Sequence, residues 1–402
     1  MSGSRDQQLE LLFRPLQLPC GATLKNRIAK SAMSDSLGDG TGNPTESQIR
    51  LYRRWAEGGA AVSIIGEVQS SPHYAEKPGN LVLDHRSDFK RFEQLAAAGS
   101  IDGSLLWPQI GHAGAMAYPE ISRPKGPSAM DIPGLSCGAL SRDEIGDLPV
   151  EFAASARIAK QMGFGGVQIH AAHGFVLSQF LSPLFNRRTD AYGGDINARM
   201  RLLLEVVDEV RYEVGADFPV AVKLNATDQL VGGLGSQEAL EVVAALDKTG
   251  VDLIDVSGGT YFPGAQSASD AQGSGPYFIE FARSAKKRTR KPLMLTGGFK
   301  TLDQVIEAVS SDAADVVSLA RALVLEPSLV NDWQKNGKLE DPKFPRFTSA
   351  PEGGVTAWYT MRIHQLAEQR DEEQALDVED ALRSYAARDA QRADIWNAHF
   401  SR

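Results

Sequence analysis

Cysteine is nearly absent: two residues in 402, Cys20 and Cys137, match no metal or redox spacing and supply at most one disulfide. That scarcity argues against a disulfide-stapled secreted scaffold and sets a reducing, cytoplasmic location as the expectation. Long apolar runs are also missing. The opening MSGSRDQQLELLF has neither the basic segment nor the apolar stretch of a secretion signal, and no later window approaches a membrane span, so a soluble chain is expected. Basic excess is lacking too. With 42 Lys and Arg against 51 Asp and Glu, the formal charge of -9 opposes a nonspecific grip on nucleic acid. Low-complexity segments are absent, and the glycines are dispersed rather than gathered into a linker.

What remains is an alternation. Eight β-prone runs follow one another: 27–32, 62–68, 105–110, 165–170, 220–225, 253–258, 293–297 and 316–320, with stretches between them long enough for crossover helices. Several runs are almost wholly apolar, as strands covered on both faces must be, and most end in a polar residue or glycine. No strand is followed by G-x-G-x-x-G, which disfavours an open doubly wound sheet. The pattern predicts α/β class, a (β/α)8 TIM barrel, with reactive groups where strands run into loops. Helices are expected over 47–56, stopping at Gly58-Gly59, and over 197–214, stopping at Gly215. Pro342, Pro345 and Pro351 break the tail, after which 356–368 and 378–397 read as amphipathic helices. The division is a barrel over residues 1–335 and a C-terminal helical extension over 336–402, packed on the barrel or on a neighbouring subunit; a homo-oligomer stays open.

Polar residues cluster at the predicted strand ends. His170 and His173 follow an apolar strand, where either imidazole can donate to an anionic oxygen; a structural role is the competing reading, and no carboxylate or cysteine spacing supports a metal site. Gln109 carries an amide donor and acceptor able to read the edge of a planar heterocycle. Lys223 ends the run VAVKLN, and a cation there needs an anion, either an internal carboxylate or a bound ligand. Gly297-Gly298 exposes backbone N–H groups and Arg321 offers a fork of donors, both suited to the phosphate site near strands seven and eight of many barrels, although a tight turn explains the glycine pair equally well.

Taken in order, Asn26-Arg27 before Ala32-Met33-Ser34, then Gln109 to Gly114, His170 to Gly174, Gln179 to Pro183 and Asn186 to Arg199 resemble the Old Yellow Enzyme and NADH:flavin oxidoreductase family over about residues 10–335. The resemblance implies FMN held noncovalently at the barrel mouth and hydride shuttled from NADH or NADPH to a small carbonyl-containing substrate. It implies that Ser34 approaches the flavin C4 oxygen and N5 region beside Ala32 and Met33. Gly66 would lie along the ring, Gln109 at its pyrimidine edge, and Lys223 near N1 and the C2 oxygen. Gly297, Gly298, Ala320 and Arg321 would cradle the phosphate. His170 and His173 would polarise the carbonyl of an activated alkene.

Two departures qualify that expectation. Many relatives carry a proton-donating tyrosine two residues after the second histidine, where this chain has Phe175; Tyr118 or Tyr261 could compensate from another loop. Dehydrogenation, isomerisation, reductive elimination, or a flavin-binding scaffold without turnover therefore stand beside alkene reduction. Ala320 stands where glycine is usual; its methyl fits a negative φ and otherwise crowds a phosphate. Residues 116–140 and 262–278 are expected as walls over the pocket.

Overall fold

The structure, a computed structural model, describes residues 4–265, 275–336 and 341–400. Eight parallel strands close into a barrel: β1 (Ile28–Lys30), β2 (Val62–Gln69), β3 (Leu105–Gly111), β4 (Val167–Ala171), β5 (Val220–Asn225), β6 (Leu253–Ser257), β7 (Leu293–Thr296) and β8 (Val316–Leu319). Each pairs with its neighbours in sequence, and β1 pairs with both β8 and β2, which closes the ring. Between them run α1 (Glu46–Glu57), α2 (Phe89–Gly99), α3 (Arg142–Gln161), α4 (Arg201–Val214), α5 (Ser236–Leu246), α6 (Ile279–Ala285) and α7 (Leu302–Ser310), with α8 (Leu329–Asn336) after the last strand.

The strands are buried at nearly every position because helices cover the outside and side chains fill the inside. At the bottom of the barrel that filling is apolar: Leu24, Ala29, Ile64, Trp107, Ala221, Leu253, Met294 and Val316 form one cluster. Room for the Trp107 indole comes from Gly166, where a Cβ would lie 2.6 Å from Trp107 Nε1 and 2.8 Å from Pro219 Cβ.

The helix expected over 197–214 is in two pieces. A turn over Ile196–Arg199, capped by Asp195, precedes α4, and the Met200 amide between them reaches back to both the Ala198 and Ile196 carbonyls, tightening the chain there. Gly215, at φ 78°, ends α4 as expected.

The tail forms α9 (Gly354–Ala367) and α10 (Val378–Phe400). The segment after α9 is tied to α1 by the Arg54–Asp371 ion pair at 2.7 Å. Helix α10 lies on the loops that follow β1 and β2: Arg392 donates to the Ser36 carbonyl, Lys77 pairs with Asp389 at 3.4 Å, and Trp396 and Phe400 pack on Ala75 and Val82. Cys20 and Cys137 are both free.

A methyl group at position 166 has no space without displacing the indole, so Gly166→Ala should lower stability by about 1–3 kcal/mol. A denaturant midpoint equal to that of the wild type would contradict this packing.

Candidate active site

Above the apolar layer, the same strands turn polar. In register across the sheet, His170 on β4 stands beside Lys223 on β5, which stands beside Asp255 on β6; Gln168, two residues before His170, stands beside Gln109 on β3. Side chains two apart on one strand share a face, so these groups project together into the barrel. Asp255, fully buried, accepts from Lys223 Nζ at 2.6 Å, from Gln168 Nε2 at 3.0 Å and from Thr296 Oγ1 at 2.7 Å. Gln109 Nε2 donates to Gln168 Oε1 at 2.6 Å, extending the network to β3. The anion that Lys223 requires is thus a protein carboxylate. Lys223 also reaches Ser31 Oγ at 3.4 Å, beside the segment Ala32-Met33-Ser34.

Ala32, Met33 and Ser34 leave β1 half-buried at the mouth. Gly66 packs directly on them: a Cβ there would lie 2.3 Å from the Met33 carbonyl oxygen. The next residue, Glu67, has φ 60°, and the pairing of β2 with β3 shifts between Ile65 and Val68. A non-glycine residue in left-handed backbone at a strand bulge is strained, and the bulge re-aims its side chain. The Glu67 carboxyl comes to 3.5 Å from His170 Nε2.

His170 is buried, with Nδ1 accepting from the Ala172 amide at 3.4 Å, which assigns the ring proton to Nε2. That Nε2 has no hydrogen-bond partner. His173, at φ 61°, is held by its amide on Asn225 Oδ1 at 3.1 Å and by Nε2 against Ser257 Oγ at 2.9 Å. The two imidazole centroids are 5.2 Å apart, and the buried Phe175 ring lies 4.9 Å from His170. Tyr261 is exposed, 5.9 Å from Phe175. Tyr118 goes elsewhere: its ring lies under Lys77 Nζ at 4.4 Å, on the side covered by α10.

His173, Tyr261, Gly297, Gly298, Ala320 and Arg321 line one cleft of about 640 Å³. Gly297 and Gly298 have φ 115° and 84°, and a Cβ at 298 would strike the Gly275 carbonyl at 2.1 Å, so glycine is required there. Ala320 adopts φ −101°, the backbone that accommodates its methyl group. The Arg321 guanidinium lies over the Tyr359 ring of α9 at 5.5 Å and borders a second cleft of about 410 Å³ with Lys300 and Phe344. Of the wall expected over 262–278, residues 266–274 lie outside the described residues. No cluster of metal-ligating side chains occurs among the described residues, and none of their helices is long and apolar enough to cross a membrane.

Burial sets the charge states. It lowers the pKa of His170 to about 3, with Lys223 acting in the same direction, and lowers that of His112, stacked on Tyr74 at 4.2 Å, to about 3. His173 is lowered too, by burial and by His170. Burial raises Glu67 to about 8, and raises Glu76, which accepts from Ser34 Oγ at 3.3 Å, to about 7.

Residues missed in the sequence are Glu67, Glu76, Gln168 and Asp255. Glu67 and Asp255 each place one charge inside an apolar run, VSIIGEVQ and LIDVS, the same signal that marked Lys223.

Residues 11–340 match the NADH:flavin oxidoreductase / NADH oxidase family. An NADH-dependent flavin oxidoreductase of Neonectria sp. (strain DH2) is 34% identical over 87% of this chain and 50% of its own length, so the chain spans about half of that relative. One of Talaromyces variabilis is 33% identical over 89% of this chain and 98% of that protein. Among solved structures, a 2-naphthoyl-CoA reductase in complex with 2-naphthoyl-CoA superposes with a TM-score of 0.77 at 26% identity, covering 81% of this chain and 52% of that one.

Two stability outcomes follow from the charges. Lys223→Met leaves the Asp255 carboxylate buried without its cation and should cost about 3–5 kcal/mol, most of it regained in Lys223→Met/Asp255→Asn; denaturation of the three proteins at pH 7 measures both. The imidazoles are held neutral while the unfolded chain protonates them near the ordinary 6.5, so the part of the stability they carry falls as pH drops from about 6.5 towards 3, whereas the raised carboxyls of Glu67 and Glu76 add stability as pH drops towards about 4.5. His112→Gln should flatten that slope in denaturation midpoints taken between pH 7 and 4.

Proposed function

The chain belongs to the Old Yellow Enzyme/NADH:flavin oxidoreductase family and is an FMN-dependent oxidoreductase, and from that premise we propose that it reduces an alkene activated by a neighbouring carbonyl group. The barrel mouth fits the cofactor on its own terms. Left-handed glycines form a cradle that a Cβ would fill, the Ser318 hydroxyl beside it is buried without a partner, and a cleft of about 640 Å³ runs from there to His173. In this reading Gly297, Gly298, Ala320 and Arg321 hold the phosphate. Ala32, Met33, Ser34 and Gly66 flank the ring, while Gln109 and Lys223 face its pyrimidine edge. Bound there, FMN would supply the hydride chemistry that links NADH or NADPH to a carbon of the second substrate.

The observation that carries the reading is the unpartnered Nε2–H of His170 beside His173. A buried donor without an acceptor costs about 1–3 kcal/mol, which a substrate oxygen relieves. Both imidazoles stay neutral at pH 7, so they bind that oxygen as hydrogen-bond donors; charge developing on it strengthens the bonds, which favours attack at the β carbon. Phe175 packs against His170 as an apolar wall and holds no transferable proton. This favours a second reading, dehydrogenation, isomerisation or reductive elimination on a carbonyl compound, in which the usual carbon need not be protonated by a phenol.

The purified protein should carry a flavin spectrum that bleaches anaerobically with NADH or NADPH and returns with 2-cyclohexen-1-one. His170→Ala and His173→Ala should slow the return about 10²-fold or more while leaving bleaching near the wild-type rate. Equal losses in both half-reactions would contradict the role given to the imidazoles, and return only with saturated or leaving-group substrates would favour the second reading.

A further inference from the structure

We propose that Glu67 is the acid of this site, delivering from its carboxyl group the proton that the α carbon of the bound carbonyl compound takes up. The proposal rests on the enone reading above and supplies the group that Phe175 cannot.

Glu67 sits in a strained left-handed conformation, φ 60°, at the point where the pairing of β2 with β3 shifts. Strand alternation is broken there, and the carboxyl is brought into the barrel mouth rather than left outside it. One carboxyl oxygen lies 3.5 Å from His170 Nε2, the donor assigned to the substrate oxygen, and the other faces Gly111. A carbonyl oxygen bound by His170 brings the α carbon, two bonds away, to the side of the site where Glu67 lies, and the Phe175 ring packs 4.9 Å from the same imidazole.

The charges facing Glu67 favour a proton on it. Burial opposes its ionisation more strongly than Lys223 and the Gln69 side chain promote it, so the group is raised to about 8 and is protonated at pH 7. His170 is neutral and gives it no fixed cation. Glu76 and Tyr261 are the other titratable groups in its field, and Glu67 disfavours ionisation of Glu76 in turn. Glu76 is only partly buried, touches Ser34 and faces Lys77, Tyr385 and Asp389 from the loop and α10, which gives the pair an edge towards water.

The step balances. The electron pair and one hydrogen reach the β carbon as hydride from NADH or NADPH by way of the flavin, the C=C π bond is lost, and a C–H bond forms at the α carbon as the Glu67 O–H bond breaks. The carboxylate left behind regains a proton from water at the mouth. Positioned proton transfer of this kind contributes about 10²–10⁴-fold to rate.

Glu67→Gln keeps the shape and removes the transferable proton, and Glu67→Asp restores an acid on a shorter stem. In stopped flow with the flavin-loaded enzyme, Glu67→Gln should reoxidise about 10²-fold more slowly with 2-cyclohexen-1-one. It should lose the fall in rate expected as pH rises through about 8 in the wild type, and flavin reduction by NADH, which puts no proton on an α carbon, should be slowed far less than the enone step. Glu67→Asp should recover part of the rate. Infrared spectra of the flavin-free protein should contain a carboxylic acid C=O band that titrates near pH 8 and is missing in Glu67→Gln. Wild-type enone rates and pH profile in Glu67→Gln, or the absence of that band, would overturn the assignment. A wild-type protein that binds flavin yet is reoxidised by no enone overturns the parent reading instead, and leaves the infrared titration to decide whether Glu67 holds the proton.

Discussion

The mouth of this barrel is organised by one buried carboxylate. Asp255 on β6 receives donors from β4, β5 and β7, and through Gln168 it also governs Gln109 on β3. Five consecutive strands thus meet in a single polar network placed above an apolar floor. A partly satisfied network in a low-dielectric interior is costly, whereas this one is closed around the anion by three donors, which fixes the relative heights of the strands that carry it. His170 takes its place from that arrangement, since it stands in register with Lys223, which is held by Asp255.

The strands were legible from the sequence because doubly covered strands must be apolar throughout, and the observed bounds depart from the expected ones by a residue or two. The histidine pair, Gln109, the glycine pair and Arg321 were legible from ordered motifs at strand ends. The partnership of Lys223 was not. Asp255 lies 32 residues further on, and only the register of two parallel strands brings the two together. Glu67 escaped for a related reason: alternation along VSIIGEVQ gives no warning of a bulge, so the direction of a side chain after position 65 cannot be counted from the residues before it. Tyr118 and Tyr261 stand on loops, where sequence fixes no direction at all; one turns to Lys77 and the other stays beside Phe175.

The two tyrosines also show how the tail shapes the mouth. Helix α10 holds the loops after β1 and β2 through Ser36, Lys77, Ala75 and Val82, and these are the loops that carry Ser34 and Glu76. The mouth is therefore positioned from two sides, by the strands that carry the imidazoles and by the last described helix, which holds the loops of Ser34 and Glu76. Opposite, α9 contributes Tyr359 to the face of Arg321, so the Arg321 end of the cleft is bounded by the tail as well.

The three residues of β1 have a further consequence for how the molecule is made. Ile28–Lys30 hydrogen-bond to β8, whose last residue is about 290 positions later. At ~5–20 residues per second, roughly a quarter of a minute to a minute separates the two on the ribosome. Throughout that interval the growing sheet has an open edge, and the cylinder, with everything that depends on its curvature, comes into being only when the eighth strand is released.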